Sequence, residues 1–282
     1  MPEQLNAQYR GLKALAARDL RAPAVADAIA EMALHSREML QQAERVDLTS
    51  RVVDKNYFGY RREGQSRPIN SALYTLNGDA FQQLLGVFRN AFRGASAEDA
   101  TRATYAIAYS VFAANDAYKI GRKASATFFE ILIGHIVAGI AGVSPRKKVR
   151  VPESGADLPT DYIFDPGPNS RKIHLPIKTS TRERAVQAWV HQLVLDRIFG
   201  TGVYRGVFMV SSETKRDNRT AEVIEICVPR QLQMFQSRVS EISRVYYLDP
   251  PVVYLALSNE FPRVEVKPFS EAFHEIPELL RT

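Results

Sequence analysis

The pattern of apolar and polar positions splits the chain into two regions of different character. Over residues 1 to about 120 the apolar positions recur at helical spacing. The stretch Pro23–Val46 carries Val25, Ile29, Met32, Ala33 and Leu40 on one stripe, roughly the 3.6 period of an amphipathic helix. Pro23 suits a first helical turn, where its missing N–H costs nothing. Asn77-Gly78-Asp79 leads into a second amphipathic stretch, Ala80–Phe88. Ser96-Ala97-Glu98-Asp99 resembles a capping box, with Ser96 as N-cap of a helix reaching about Tyr118. Between these helices Tyr57–Arg67 (YFGYRREGQSR) interleaves aromatic and basic residues and reads as a loop. Such a loop can stack on and neutralise nucleic acid, or be plainly solvated.

From Ser125 the pattern changes. Thr127–Ala141 is an apolar helix with a single acid, Glu130, and Pro145–Pro152 is basic and strand-like toward its end. A hairpin follows, turning at Pro166–Ser170, then a helix from about Arg182 to Ile198. Val203–Ser211 and Ala221–Val228 read as apolar strands around the polar loop Glu213–Thr220. Pro229 opens a helix to about Arg244, and Val252–Leu257 reads as a last strand. This order predicts an α/β (α+β) fold with a mixed sheet in a core over 121–282, preceded by a mainly helical region over 1–120.

Composition narrows the chemistry. With 282 residues, 45% of them hydrophobic and 24% charged, a sizeable core is available. A net charge of +6 fits a nucleic-acid partner, though many basic proteins have none. Cys227 is the single cysteine, which excludes an intrachain disulfide and multi-thiolate zinc sites. The five His show no HExxH or paired spacing. The start lacks a signal-peptide pattern, and Ile131–Val143 is too short to span a membrane. A cytoplasmic protein with no membrane partner is expected.

The hairpin carries the candidate chemistry. Pairing about its turn places Asp161 opposite Lys178, with side chains about 5 Å apart at Cβ. Ile173, Leu175 and Ile177 alternate with His174, Pro176 and Lys178; the first set suits the core and the second a polar site. Metal-assisted phosphodiester cleavage needs a divalent cation held by oxygens. Asp161 offers a carboxylate and Ile177 a backbone carbonyl, while Lys178 can act on water or phosphate. Glu130, an acid in an apolar helix, is the natural second carboxylate. The plainer alternatives are a cross-strand salt bridge between Asp161 and Lys178, and a Glu130 that caps or pairs with an Arg.

Arg182-Glu183-Arg184 follows at once, after N-cap candidates Thr179-Ser180-Thr181. Two arginines in a first turn oppose the helix dipole. They suit guanine O6 and N7, as a carboxylate suits cytosine N4; a surface ion-pair turn is the other reading. Beyond them, Val186, Trp189, Val190, Leu193 and Val194 form the expected core stripe, with Arg184, Ala188, His191 and Gln192 on another face. His191 and Gln192 either touch the metal-bound water or phosphate, or satisfy buried polar groups.

Pro159-Thr160-Asp161 with Pro176-Ile177-Lys178 resembles the PD-(D/E)XK nuclease motif, with Glu130 as the acid of the preceding helix. Arg182-Glu183-Arg184 at its offset from the Lys resembles the type II restriction endonucleases of the CCGG and CCNGG group. The resemblance covers about residues 125–230. It implies a Mg²⁺-dependent enzyme cutting double-stranded DNA at a short palindrome as a homodimer, with a DNA methyltransferase as genetic partner in a restriction-modification system. It implies Glu130, Asp161, Lys178 and Gln192 as the catalytic set, Asp161, Ile177 and Glu130 at the metal, and Arg182, Glu183 and Arg184 on C·G pairs. The N-terminal helices would clamp DNA or dimerise. Two departures stand out: Pro176 replaces the motif's usual acid, and the helix positions to which that group moves the acid hold His191 and Gln192. The competing readings are a non-catalytic DNA-binding module on the same fold and a structure-specific repair nuclease.

Overall fold

The computed structural model describes residues 2–121, 123–152, 154–181 and 185–281. Helices α1 (Pro2–Arg18) and α2 (Pro23–Leu40) open the chain. The expected stripe of α2 is buried at Val25, Ile29, Met32, Ala33 and Leu40. A three-stranded antiparallel sheet follows, made of β1 (Glu44–Leu48), β2 (Tyr57–Arg61) and β3 (Ile69–Asn70). Then come α3 (Gly78–Arg89), α4 (Ala97–Ala117) and α5 (Ala124–Ala141). The caps are those expected: Asn77 accepts from the Ala80 N–H at 2.9 Å and Ser96 from the Asp99 N–H at 3.0 Å. Small and aromatic residues bury α4 on nearly every side, with Tyr105 and Tyr109 stacked at 3.9 Å. By length and composition the 18-residue helix α5 could cross a membrane, yet 56% of it is buried within the protein.

Tyr57–Arg67 is not the loop expected. Its first half is β2, and Tyr57, Phe58, Gly59 and Tyr60 are buried. An aromatic run covered on both faces shows no period-2 alternation, so its strand is hidden in the sequence. Gly59 is needed here: a Cβ would lie 3.1 Å from Ser66 Oγ, the atom that accepts from the Tyr60 N–H at 2.8 Å. Arg67 pairs with Asp116 at 2.8 Å and lies over the Phe112 ring.

The second half builds the mixed sheet. Strands β4 (Arg146–Arg150), β5 (Asp157–Phe164), β6 (Lys172–Leu175), β7 (Ile177–Lys178) and β8 (Tyr204–Val210) surround α6 (Ala185–Phe199) in sequence. A ribbon, β9 (Thr214–Arg216) with β10 (Val223–Glu225), separates them from α7 (Pro229–Arg238), β11 (Arg244–Tyr247), short α8 (Val252–Leu255) and α9 (Leu257–Glu260), β12 (Val266–Pro268) and α10 (Ala272–Arg281). The sheet order is β12-β11-β8-β6-β5-β4, with β7 continuing along β8. β4 and β6 run antiparallel to β5, while β6, β8, β11 and β12 are mutually parallel. This is the mixed α/β architecture expected.

Two units are compact in themselves: Met1–His135 with Thr214–Ile226, and Ile136–Glu213 with Cys227–Thr282. The first contains the β9–β10 ribbon, held by backbone bonds from Arg51 to Val223 and from Val223 to Thr49. The partition therefore differs from a single cut near residue 120, and Ala221–Val228 supplies a ribbon strand rather than one of the main sheet. Three further expectations fail. The helix from Pro229 stops at Arg238, because Arg244–Tyr247 pairs with β8. Val252–Leu257 is helical: Pro251 is the N-cap, and Tyr254 turns inward to accept the Val228 N–H at 2.6 Å. The buried face of α6 is Ala185, Ala188, Trp189, Gln192 and Leu195, leaving Val186 and Val190 exposed. Counting valines over alanines misplaced that stripe by about one residue.

Candidate active site

Strand β6 breaks at Pro176, which has no N–H to give a neighbour. The chain resumes as β7, still along β8, with the Pro176 and Lys178 carbonyls accepting from Met209 and Ser211. By alternation the Ile177 N–H and carbonyl point to the other side of the strand. There the N–H donates to Asp161 Oδ2 at 2.8 Å, and Lys178 Nζ reaches the same oxygen at 2.9 Å. The register of β5 on β6 pairs Tyr162 with Leu175 and Ile163 with His174. Continued by one residue, it sets Asp161 across from Pro176, so the expected opposition to Lys178 was two residues out. A two-residue shift preserves the face of every side chain, and the flexible Lys178 closes the remaining gap.

Asp161, His174, Pro176 and Lys178 face α6 across a cavity of about 170 Å³, with Gln187, Ala188 and His191 on the helix side. Asp161 and Lys178 are each 22% exposed, shielded but reachable. Both hydrogen bonds to Asp161 fall on Oδ2, which leaves Oδ1 for a cation; the Ile177 carbonyl shares that side of the strand, but Ile177 is not one of the cavity-lining residues. One carboxylate, one carbonyl, water and a substrate phosphate suit a single hard divalent ion. Among the described residues no group of three or more His, Cys, Asp or Glu is gathered to hold a metal. Glu130 is half-buried on α5 in the first unit and is not one of the cavity-lining residues.

Gln192 does not line the cavity either; it stands behind His174. Its Nε2 donates to the Tyr204 carbonyl at 2.8 Å and to Asp196 at 2.9 Å. Two acceptors on that side orient the amide, so Oε1 accepts from His174 Nδ1–H at 3.1 Å. Gly206, paired with His174 in the register, makes room: a Cβ there would meet Gln192 Oε1 at 2.8 Å. Burial pushes the His174 imidazole down to about 4 against the Gln192 hydrogen bond, leaving the ring neutral. Burial also lowers His191, against the pull of Asp161.

Arg182, Glu183 and Arg184 lie outside the described residues. The residue before them is pinned by an acid that sequence reasoning missed. Glu213, fully buried, accepts from the Thr181 N–H at 2.9 Å, the Thr181 hydroxyl at 2.6 Å and the Tyr247 hydroxyl at 2.9 Å. Nothing in its polar neighbourhood, Ser211-Ser212-Glu213-Thr214, marks it out.

No protein-family model matches the chain, and no curated protein does. The crystal structure of the type IIP restriction endonuclease Kpn2I superposes with a TM-score of 0.84 at 23% identity, over 99% of this chain and 97% of that one. A complex of restriction endonuclease PspGI with substrate DNA aligns with a TM-score of 0.46 at 16% identity, over 72% of this chain and 92% of that one. The chain therefore has the fold of the type IIP restriction endonuclease Kpn2I along nearly its whole length.

Proposed function

We propose that this protein is a type II restriction endonuclease: a Mg²⁺-dependent, sequence-specific nuclease that cuts double-stranded DNA at a short palindrome containing CCGG or CCNGG. The observation that carries the reading is the meeting of Asp161 and Lys178 on one oxygen at the wall of a cavity, in a chain with the Kpn2I fold. Asp161 Oδ1 and the Ile177 carbonyl would hold the cation. When bound, the ion polarises phosphate and lowers the pKa of water. Lys178 offers an ammonium group to the charge that develops on phosphate, and Ile177 N–H keeps Asp161 turned toward the cavity. Arg182, Glu183 and Arg184 would read C·G pairs. A palindrome calls for a C2 homodimer, and a methyltransferase protecting the same site is the genetic partner.

The test is digestion of plasmid DNA with Mg²⁺. Discrete fragments ending at one sequence are expected, and Asp161→Ala should abolish them while DNA binding in a gel shift persists. Cleavage by Asp161→Ala, or sequence-random smearing by the unsubstituted protein, would sink the proposal. A non-catalytic DNA-binding module is the second reading, favoured by the single carboxylate at the cavity; intact plasmid with a site-specific gel shift is its signature.

A further inference from the structure

His174 lines the cavity beside Asp161. It is wholly buried, and its Nε2 has no hydrogen-bond partner. A buried polar atom left unpaired is destabilising, and an apolar residue would avoid the cost. Nδ1 is turned to Gln192 and holds the proton, so Nε2 carries a bare lone pair on the opposite ring edge. Nε2 is itself enclosed, His174 is one of the residues lining the cavity, and the His191 ring, another part of the wall, is centred 6.1 Å from that of His174. The register sets His174 across from Ile163. Asp161 is two residues along on the same face, a diagonal neighbour within side-chain reach.

We propose that His174 Nε2 is a nitrogen ligand to the divalent cation that Asp161 holds, giving a mixed imidazole–carboxylate site that binds Mn²⁺ or Co²⁺ more tightly than Mg²⁺. This rests on the nuclease reading, which places a cation at Asp161. With Nδ1–H engaged by Gln192, the ring presents Nε2, the atom through which such an imidazole ligates a metal. Ligating histidines characteristically donate their other N–H to an oxygen acceptor, as His174 does to the Gln192 carbonyl. Imidazole nitrogen favours first-row transition ions, whereas Mg²⁺ prefers oxygen alone.

Pulsed electron paramagnetic resonance on the full chain loaded with Mn²⁺, with ¹⁵N-labelled histidine, reads the ligand directly. We expect one histidine nitrogen coupling in the unsubstituted protein. It should persist in His191→Gln, which removes the other cavity imidazole, and vanish in Asp161→Ala with the bound ion. His174→Gln should remove the coupling and weaken Mn²⁺ binding by about tenfold or more. If that variant does not fold, the coupling in His191→Gln alone still decides. Mn²⁺ bound without a nitrogen coupling, or a coupling lost in His191→Gln, overturns the assignment and leaves the nuclease reading standing. Absence of Mn²⁺ and Mg²⁺ binding to the unsubstituted protein, with or without DNA, overturns both.

Discussion

Replacing Gln192 with Met keeps the length of the side chain and removes all of its hydrogen bonds. Gln192 is 1% exposed, and its amide serves three groups. The Tyr204 carbonyl points away from β6, and β11 pairs with β8 only from Val207 onward, so the amide stands where a neighbouring strand would. In the variant this carbonyl and the His174 Nδ1–H both lose their partners. Asp196 is half-buried and keeps the Ser240 hydroxyl at 2.6 Å, so its loss is small. Two orphaned buried groups at roughly 1–3 kcal/mol each give about 2–6 kcal/mol. Against a typical stability of roughly 5–15 kcal/mol this is a large loss, worth roughly 5–20 °C in Tm. Urea denaturation followed by the fluorescence of Trp189, the only Trp, measures it. A loss under about 1 kcal/mol would refute the reasoning. A second arm tests the pair itself. With His174→Phe added, no imidazole N–H remains to be orphaned, so the double variant should lose about 1–2 kcal/mol less than the sum of the two single losses. Strict additivity would show that Gln192 does not hold His174.

Phe58→Ala should cost about 3–5 kcal/mol of stability, since the ring is 2% exposed and packs edge-on against Tyr60 and Tyr74. Gel shifts on the folded variant should show unchanged DNA affinity; a selective loss would restore a base-stacking role. Gly206→Ala drives a Cβ to 2.7 Å from Ile242 Cδ1 and 2.8 Å from Gln192 Oε1, which should cost about 1–3 kcal/mol by the same denaturation assay. Burial raises the Glu275 carboxyl, but hydrogen bonds from Lys267 and Tyr246 and the charge of Arg244 outweigh it and hold the group below its ordinary 4.5. A folded value below the unfolded one means the stabilisation is complete above that pH and fades as pH falls through the folded value. Glu275→Gln should therefore flatten the fall in urea midpoint between about pH 5 and 3, and an unchanged profile would contradict it.

Local chemistry made much of this molecule legible from the chain alone. Caps at Asn77 and Ser96, the stripe of α2 and the phase of the β5–β6 hairpin are set by residues within a few positions of one another. Asp161 and Lys178 fell on one face in the sequence reading because alternation depends only on odd and even spacing, which survives a register error of two. What a segment packs against is not a local property. Tyr57–Tyr60 reads as a loop until it is covered on both faces, and Val252–Leu255 as a strand until Tyr254 is drawn inward. The residues from Arg244 to Tyr247 become a strand through their pairing with β8. The placing of Gln192 behind His174, and of Glu213 beneath Thr181, joins residues whose separation carries no periodic signal. The sequence by itself determined the mixed α/β class and the acid–lysine pair. Only the tertiary structure decided the register, the buried face of α6 and the bare nitrogen of His174, because burial and hydrogen-bond partners exist only once distant segments have packed.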